Sequence, residues 1–183
     1  MLYIIRHGKT DWNNQYRLQG RTDIPLNNEG REMAERARES CLDVHFDLCY
    51  CSPLSRAKET AEILLRDRAI PIIEDARLIE MSFGVCEGLV RCFQIPDCPV
   101  KPFFLDPENY TEPPEGAESM EDLFRRTGEF LEELVYPKLS EGKDILIVGH
   151  GAMNSSIVCQ VKGWPVRDFW KEGIENCRLV RLI

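Results

Sequence analysis

Histidine is scarce in this chain, with three among 183 residues, which leaves little material for a histidine-rich metal centre. Long apolar runs are absent too. No stretch approaches the ~20 residues of a membrane span. Arg6 interrupts the apolar run Leu2–Ile5 before it could serve as a signal segment. The expectation is a cytoplasmic protein with no membrane partner. Basic charge is in deficit: 23 Lys and Arg against 31 Asp and Glu give a net charge of −8. Such a surface repels a phosphodiester backbone, so nucleic acid is excluded as a partner. Repeats, low-complexity tracts and linkers are missing, and residues 1–183 read as one domain, long enough to bury a full core.

Cysteine is not scarce, but its eight copies lack a secretory context that would make them disulfides. Several fall inside apolar runs, where a reduced thiol acts as a small hydrophobe. Cys86, Cys92 and Cys98 recur at even spacing, wider than the close pairs zinc prefers and without a nearby histidine.

Short apolar runs alternate with helical patterns. Strands are expected at Met1–Ile5, Phe46–Cys51, Ile70–Ile73, Asp144–Gly149 and Leu179–Ile183. Asp11–Asn27 reads as a polar loop and Asn28–Cys41 as a helix with Met33, Ala34 and Ala37 on one face. Ser52–Pro53 reads as the capped start of a helix running to about Arg66. Ser119 followed by Asp122 resembles a capping box opening a helix to Lys138, and a further helix runs from Ala152 to Val161. Residues 86–115 carry six prolines and no clear period, and read as an irregular, lid-like insertion. The pattern predicts an α/β protein: a three-layer α/β/α sandwich around a mostly parallel sheet. A terminal strand at Leu179–Ile183 would be free to pair with another chain if it lies at an edge, and the expected state is monomer or homodimer.

Chemistry concentrates at strand ends. Arg6-His7-Gly8 follows the first strand, with Thr10 and Asn13 close behind. Arginine offers a planar fork suited to phosphoryl oxygens, and an imidazole can attack phosphorus when its other nitrogen is held. His150-Gly151 follows a later strand and opens a helix. Arg56 falls in the first turn of a helix, where a cation gains nothing from the helix dipole; a bound anion explains it better than stability does. Glu80 and Glu87 stand in the mostly uncharged run Leu78–Gly88, placing a carboxyl group where it could protonate a leaving oxygen and then activate water.

Together these segments resemble the histidine phosphatase superfamily, also called the phosphoglycerate-mutase-like family. The matching features are the RHG opening, Arg17-Leu18-Gln19-Gly20, Asp23-Ile24-Pro25-Leu26 with Gly30, the SPLxRAxxTA helix, the LxExxFGxxEG segment and the late GHG, in the family's order. The resemblance implies a phosphoglycerate-mutase-like fold and a metal-independent phosphomonoesterase that needs no cofactor. His7 would become a phosphohistidine and Glu80 would be the acid and base. Arg6, Arg56 and His150 would bind the phosphoryl oxygens. Asn13, Gln19, Gly20 and Gly151 would complete the substrate pocket, and Glu87 would be structural.

Two departures bear on the substrate. Met81 follows Glu80 where the family's mutases typically carry arginine, and residues 86–115 contain only Arg91 and Lys101 as cations. The expected substrate is therefore a small phosphomonoester with a partly apolar remainder facing Phe83, Phe93, Phe103 and Phe104. A cofactor-dependent phosphoglycerate mutase, an α-ribazole-phosphate phosphatase and a non-catalytic phospho-ligand binder remain as alternatives.

Overall fold

The apolar runs become one sheet. A computed structural model covering residues 1–183 contains β1 (Leu2–Arg6), β2 (Leu48–Cys51), β3 (Ile72–Glu74), β4 (Ile145–Gly149) and β5 (Val180–Arg181). The strand order is β3-β2-β4-β1-β5; only β5, at one edge, runs antiparallel. Seven helices accompany it: α1 (Asp11–Asn14), α2 (Asn28–Ser40), α3 (Ser55–Leu64), α4 (Lys101–Leu105), α5 (Met120–Phe130), α6 (Tyr136–Ser140) and α7 (Gly151–Lys162).

Strand alternation builds the layers, because successive side chains point to opposite faces. Ile5, Cys49, Cys51, Leu146 and Val148 pack against Ala37 of α2 and Ala57, Ala61 and Leu64 of α3. Leu2, Ile4, Tyr50, Ile145 and Ile147 pack against Leu123 and Phe130 of α5 and Met153 and Ile157 of α7. Both faces of the central strands are covered, so β1, β2 and β4 are apolar along most of their length. This is the expected mixed α/β architecture, with a single sheet between helical layers.

Several boundaries differ from expectation for physical reasons. The polar loop after β1 contains α1, closed by a capping box between Thr10 and Asn13. α3 begins at Ser55 with Leu54 as its uncapped N-cap, because Ser52 is drawn to another partner. The helix after Ser119 continues to Ser140 through one wider turn, Leu131–Val135, ahead of Pro137. Proline lacks an N–H and its ring crowds the carbonyl four residues back, and a widened turn relieves both.

Residues 86–115 form short turns and α4, and Cys86, Cys92, Cys98, Val100, Phe103 and Tyr110 are buried in the same core as α5 and α7. The cysteine thiols there are hydrophobic packing. Cys86, Cys92 and Cys98 lie near one another, with Cys86 and Cys98 in hydrogen-bond contact, but the three His, Cys or carboxylate groups that come together at ligand distance are His45, Asp47 and Asp144. No helix is long and apolar enough to cross a membrane.

Candidate active site

In parallel sheets, ligands gather at the carboxyl ends of the strands. Here β1, β4 and β2 are neighbours and end together: Arg6 pairs with Gly149, and Cys51 with Val148. The next residues, His7, His150 and Ser52, are therefore side by side. The His7 N–H donates to the Gly149 carbonyl at 2.9 Å, and the two imidazole centroids lie 5.1 Å apart.

His7 is buried, and its Nδ1 lies 2.6 Å from the Gly8 carbonyl oxygen. A carbonyl can only accept, so Nδ1 carries the proton and Nε2 presents its lone pair. Burial, then the charges of Arg56 and Arg6, hold the His7 pKa well below the usual imidazole value. The ring is thus neutral near neutral pH, with Nε2 unprotonated. Asn176 donates from Nδ2 to the His7 carbonyl at 2.7 Å and fixes the backbone behind it.

Gly8 serves packing rather than ligand approach. A Cβ there would collide with the Gly30 carbonyl of α2, and a Cβ on Gly30 would collide with Lys9. The two backbones touch because both residues are glycine.

His150 is fully buried, with Nε2 2.7 Å from Ser52 Oγ. Ser52 Oγ accepts the Leu54 N–H at 3.3 Å. With its hydroxyl proton given to Nε2, Ser52 is satisfied and His150 is left as the Nδ1–H tautomer. His150 Nδ1 has no hydrogen-bond partner, nor do Arg6 Nε and Arg56 Nε. Buried polar atoms are normally paired, so three unpaired atoms of one type in one place fit an anion. Burial, then Arg56, keeps the His150 pKa well below its ordinary value.

Arg56, the second residue of α3, is only 1% exposed. Its Nη2 donates to Gly20 at 2.7 Å and Nη1 to Thr22 at 3.0 Å, so the loop after α1 aims it. Burial lowers its pKa to about 10, against the opposing charge of Glu80, and it stays cationic. Gly20 sits at φ +57, and a Cβ there would strike Glu87. The Glu87 carboxylate accepts N–H groups of Arg21, Thr22 and Phe83 and ties that loop to the segment carrying Glu80.

Glu80 Oε1 accepts the Met81 and Met153 N–H groups at 2.9 and 3.0 Å, and Oε2 accepts that of Ala152 at 3.2 Å. It thus lies at the amino end of α7, oriented by three backbone N–H groups. Met81 itself is fully buried.

A cavity of about 320 Å³ brings together Arg6, His7, Asn13, Gln19, Gly20, Arg56, Glu80 and Gly151. His150 lies against His7 rather than on the cavity wall. Asn13 Oδ1 is used inside the α1 capping box, which leaves only its amide nitrogen for a ligand. Gln19 Oε1 accepts from Thr10 at 2.9 Å. Phe83, Phe93 and Phe104 line the cavity, whereas Phe103 is buried beneath them in the core.

Three wall or support residues escape sequence reasoning. Ser52 reads as a helix cap, and only the register of β2 against β4 puts it beside His150. Tyr16, just ahead of Arg17-Leu18-Gln19-Gly20, and Trp170, in a segment without a motif, also line the cavity.

The histidine phosphatase superfamily (branch 1) pattern matches residues 2–183. The chain belongs to the histidine phosphatase superfamily. A 2,3-bisphosphoglycerate-dependent phosphoglycerate mutase of Cytophaga hutchinsonii is 34% identical over 82% of this chain and 72% of its own. Bacillus stearothermophilus YhfR superposes with a TM-score of 0.86 at 32% identity, over 97% of this chain and 88% of its own. Phosphoserine phosphatase from Entamoeba histolytica, solved with 3-phosphoglyceric acid, superposes at 0.82 with 28% identity, covering 97% and 87%. Members of this family, phosphatases and mutases, are enzymes acting on phosphomonoesters, and this chain is one of them.

Proposed function

We propose that this histidine phosphatase hydrolyses small phosphomonoesters through a phosphohistidine on His7, without a metal or other cofactor. The observation that carries the reading is the neutral, oriented His7 Nε2 beside the unpaired donors of Arg6, Arg56 and His150. In the first transfer Nε2 attacks phosphorus, the P–O ester bond breaks, and Glu80 gives a proton to the leaving oxygen. In the second, water attacks the phosphorus, Glu80 takes its proton, and the P–N bond breaks to release phosphate and neutral His7. The two guanidinium groups and His150 Nδ1–H meet the charge on the phosphoryl oxygens, already in place before the reaction.

Hydrolysis is favoured over phosphoglycerate exchange by where the cations are. Arg91 stacks on Tyr16, and Lys101 lies with Asp97 and Asp106 in a different groove. The third arginine in the cavity, Arg17, donates to Gln15 Oε1 at 2.7 Å and to the Gly88 carbonyl at 3.0 Å. A second phosphate or carboxylate would thus meet one further cation, Arg17, with its guanidinium already engaged by Gln15 and Gly88. Steady-state assays with EDTA over phosphoglycerates, sugar phosphates, nucleotides, phosphoserine and α-ribazole phosphate test the reading, with His7→Ala as control. His7-dependent release of phosphate, with an acid-labile phosphoenzyme on rapid quench, supports it. Exchange between phosphoglycerates without hydrolysis would move the enzyme to the mutases, and silence in both assays to the phospho-ligand binders.

A further inference from the structure

The outer half of the cavity is aromatic, and one of its residues is held there at a backbone cost. Tyr16 follows the last turn of α1 in the left-handed conformation, φ +56, a position where helices usually place glycine. Arg91, facing it, is also left-handed at φ +49 and donates its N–H to the Tyr16 carbonyl at 2.8 Å. The Arg91 guanidinium lies 4.7 Å from the Tyr16 ring centroid and covers one face of it. Yet Tyr16 is 62% exposed and Phe93 43% exposed, and both rings line the cavity. Exposed aromatics at a cavity mouth are characteristic of ligand contact, and non-glycine residues in this conformation cluster at functional sites. Deeper in, Phe104 and Trp170 also line the cavity, with ring planes 13° apart. Arg17 is the one further cation lining the cavity, and its guanidinium is turned to the Gln15 Oε1 and Gly88 carbonyl oxygens.

We propose that the preferred substrate is the phosphate ester of an aromatic alcohol, and that Tyr16, clamped by Arg91, with Phe93 forms the specificity element that stacks on the ring. This rests on the phosphatase reading above. Tyr16 supplies its uncovered face, Phe104 and Trp170 the inner wall, and Arg6 and Arg56 hold the phosphoryl group.

Benzyl, cyclohexylmethyl and glycerol 3-phosphates test this, because all three leave as alkoxides of similar basicity and differ in what the outer cavity meets. The wild-type enzyme should show kcat/KM about tenfold higher for benzyl than for cyclohexylmethyl phosphate, and higher again than for glycerol 3-phosphate. Tyr16→Gly, which suits the left-handed backbone and so stays folded, should reduce the benzyl-to-glycerol ratio about tenfold, mainly through KM. Phe93→Ala should shift the ratio in the same direction. Equal kcat/KM for the three esters, or a Tyr16→Gly loss common to all of them, overturns the proposal. Rapid-quench trapping separates the two layers of inference. A phosphohistidine formed without aromatic preference leaves the phosphatase reading standing and removes this one; no phosphohistidine from any ester removes both.

Discussion

Ser52→Ala is the sharpest test of how this site is organised, because Ser52 would never touch substrate. The change deletes one oxygen that is fully buried between the Leu54 N–H and His150 Nε2. Both partners then lack a bond in a place water does not reach. Each unsatisfied buried group costs about 1–3 kcal/mol, so a total of about 2–6 kcal/mol is expected for the two. For a domain of this size the thermal midpoint should fall by about 4–24 °C. The kinetic effect has a separate origin. Without the serine hydroxyl nothing fixes the Nδ1–H tautomer of His150, and the donor meant for a phosphoryl oxygen is no longer held. Deleting such a donor outright typically costs about 10²–10³ in kcat, so loss of its orientation should cost about 10- to 100-fold. Vanadate, which mimics the five-coordinate phosphorus, should bind weaker by a similar factor, whereas KM for substrate should move little. The assays are urea unfolding, steady-state kinetics at a temperature where the variant is folded, and vanadate inhibition. A variant that loses stability but keeps kcat and vanadate affinity within twofold of wild type would refute the tautomer argument.

Other perturbations follow from the same geometry. Glu80→Gln should lower kcat/KM for alkyl esters by about 10²–10⁴, yet still form phosphohistidine from p-nitrophenyl phosphate, whose leaving group needs no proton; rapid quench would show the phosphoenzyme accumulating. Gly8→Ala places a methyl group against the Gly30 backbone, which has nowhere to retreat, and should destabilise by about 1–3 kcal/mol while displacing His7, as read by urea unfolding and activity. His7 and His150 both have folded-state pKa values well below the ordinary imidazole value, so below about pH 6.5 the unfolded chain binds protons that the folded one refuses. Their contribution is flat above about pH 7 and turns destabilising as pH falls, by up to about 2.7 kcal/mol per pH unit for the pair. Urea midpoints from pH 7.5 to 5.5 should show this slope, and a His7→Gln, His150→Gln double variant should lose it.

The sequence reveals the candidate reactive groups more readily than their supports. The strand-ending runs before His7 and His150 are legible because buried parallel strands are continuously apolar, and the helix faces of Ala34, Ala57 and Leu64 because small and apolar residues recur at helical spacing. Ser52 is misread because a serine before a proline is locally a good helix start. Its competing partner, His150, lies far along the chain and is found only through the β2–β4 register. The proline-rich insertion is as irregular as its sequence predicts, but its anchoring is hidden for a similar reason. Its lack of period is real, but Val100 and Phe103 are anchored by tertiary burial that no local pattern encodes. Phe103 and Phe104 are adjacent and chemically alike, yet one is core and the other cavity wall.

That division of neighbouring aromatics has a consequence for mechanism. The segment forming the outer wall is packed into the main core through Cys92, Val100, Phe103 and Tyr110, and Phe103 makes edge-on contacts with Tyr110, Phe169 and Trp170 at 5.5, 5.5 and 5.1 Å. Trp170 Nε1 also donates to the Phe103 carbonyl at 2.9 Å, so this wall residue is fixed by the segment it faces. A wall built this way presents its aromatic surface before substrate arrives, and little ordering cost falls on binding. The phosphoryl end is equally preset: Arg56 is held by two carbonyls and Glu80 by three N–H groups. In the proposed mechanism, rate and selectivity therefore reside in different residues. Substitutions at Ser52 and Glu80 should act mainly on kcat for every ester, and those at Tyr16 and Phe93 mainly on KM for aromatic ones.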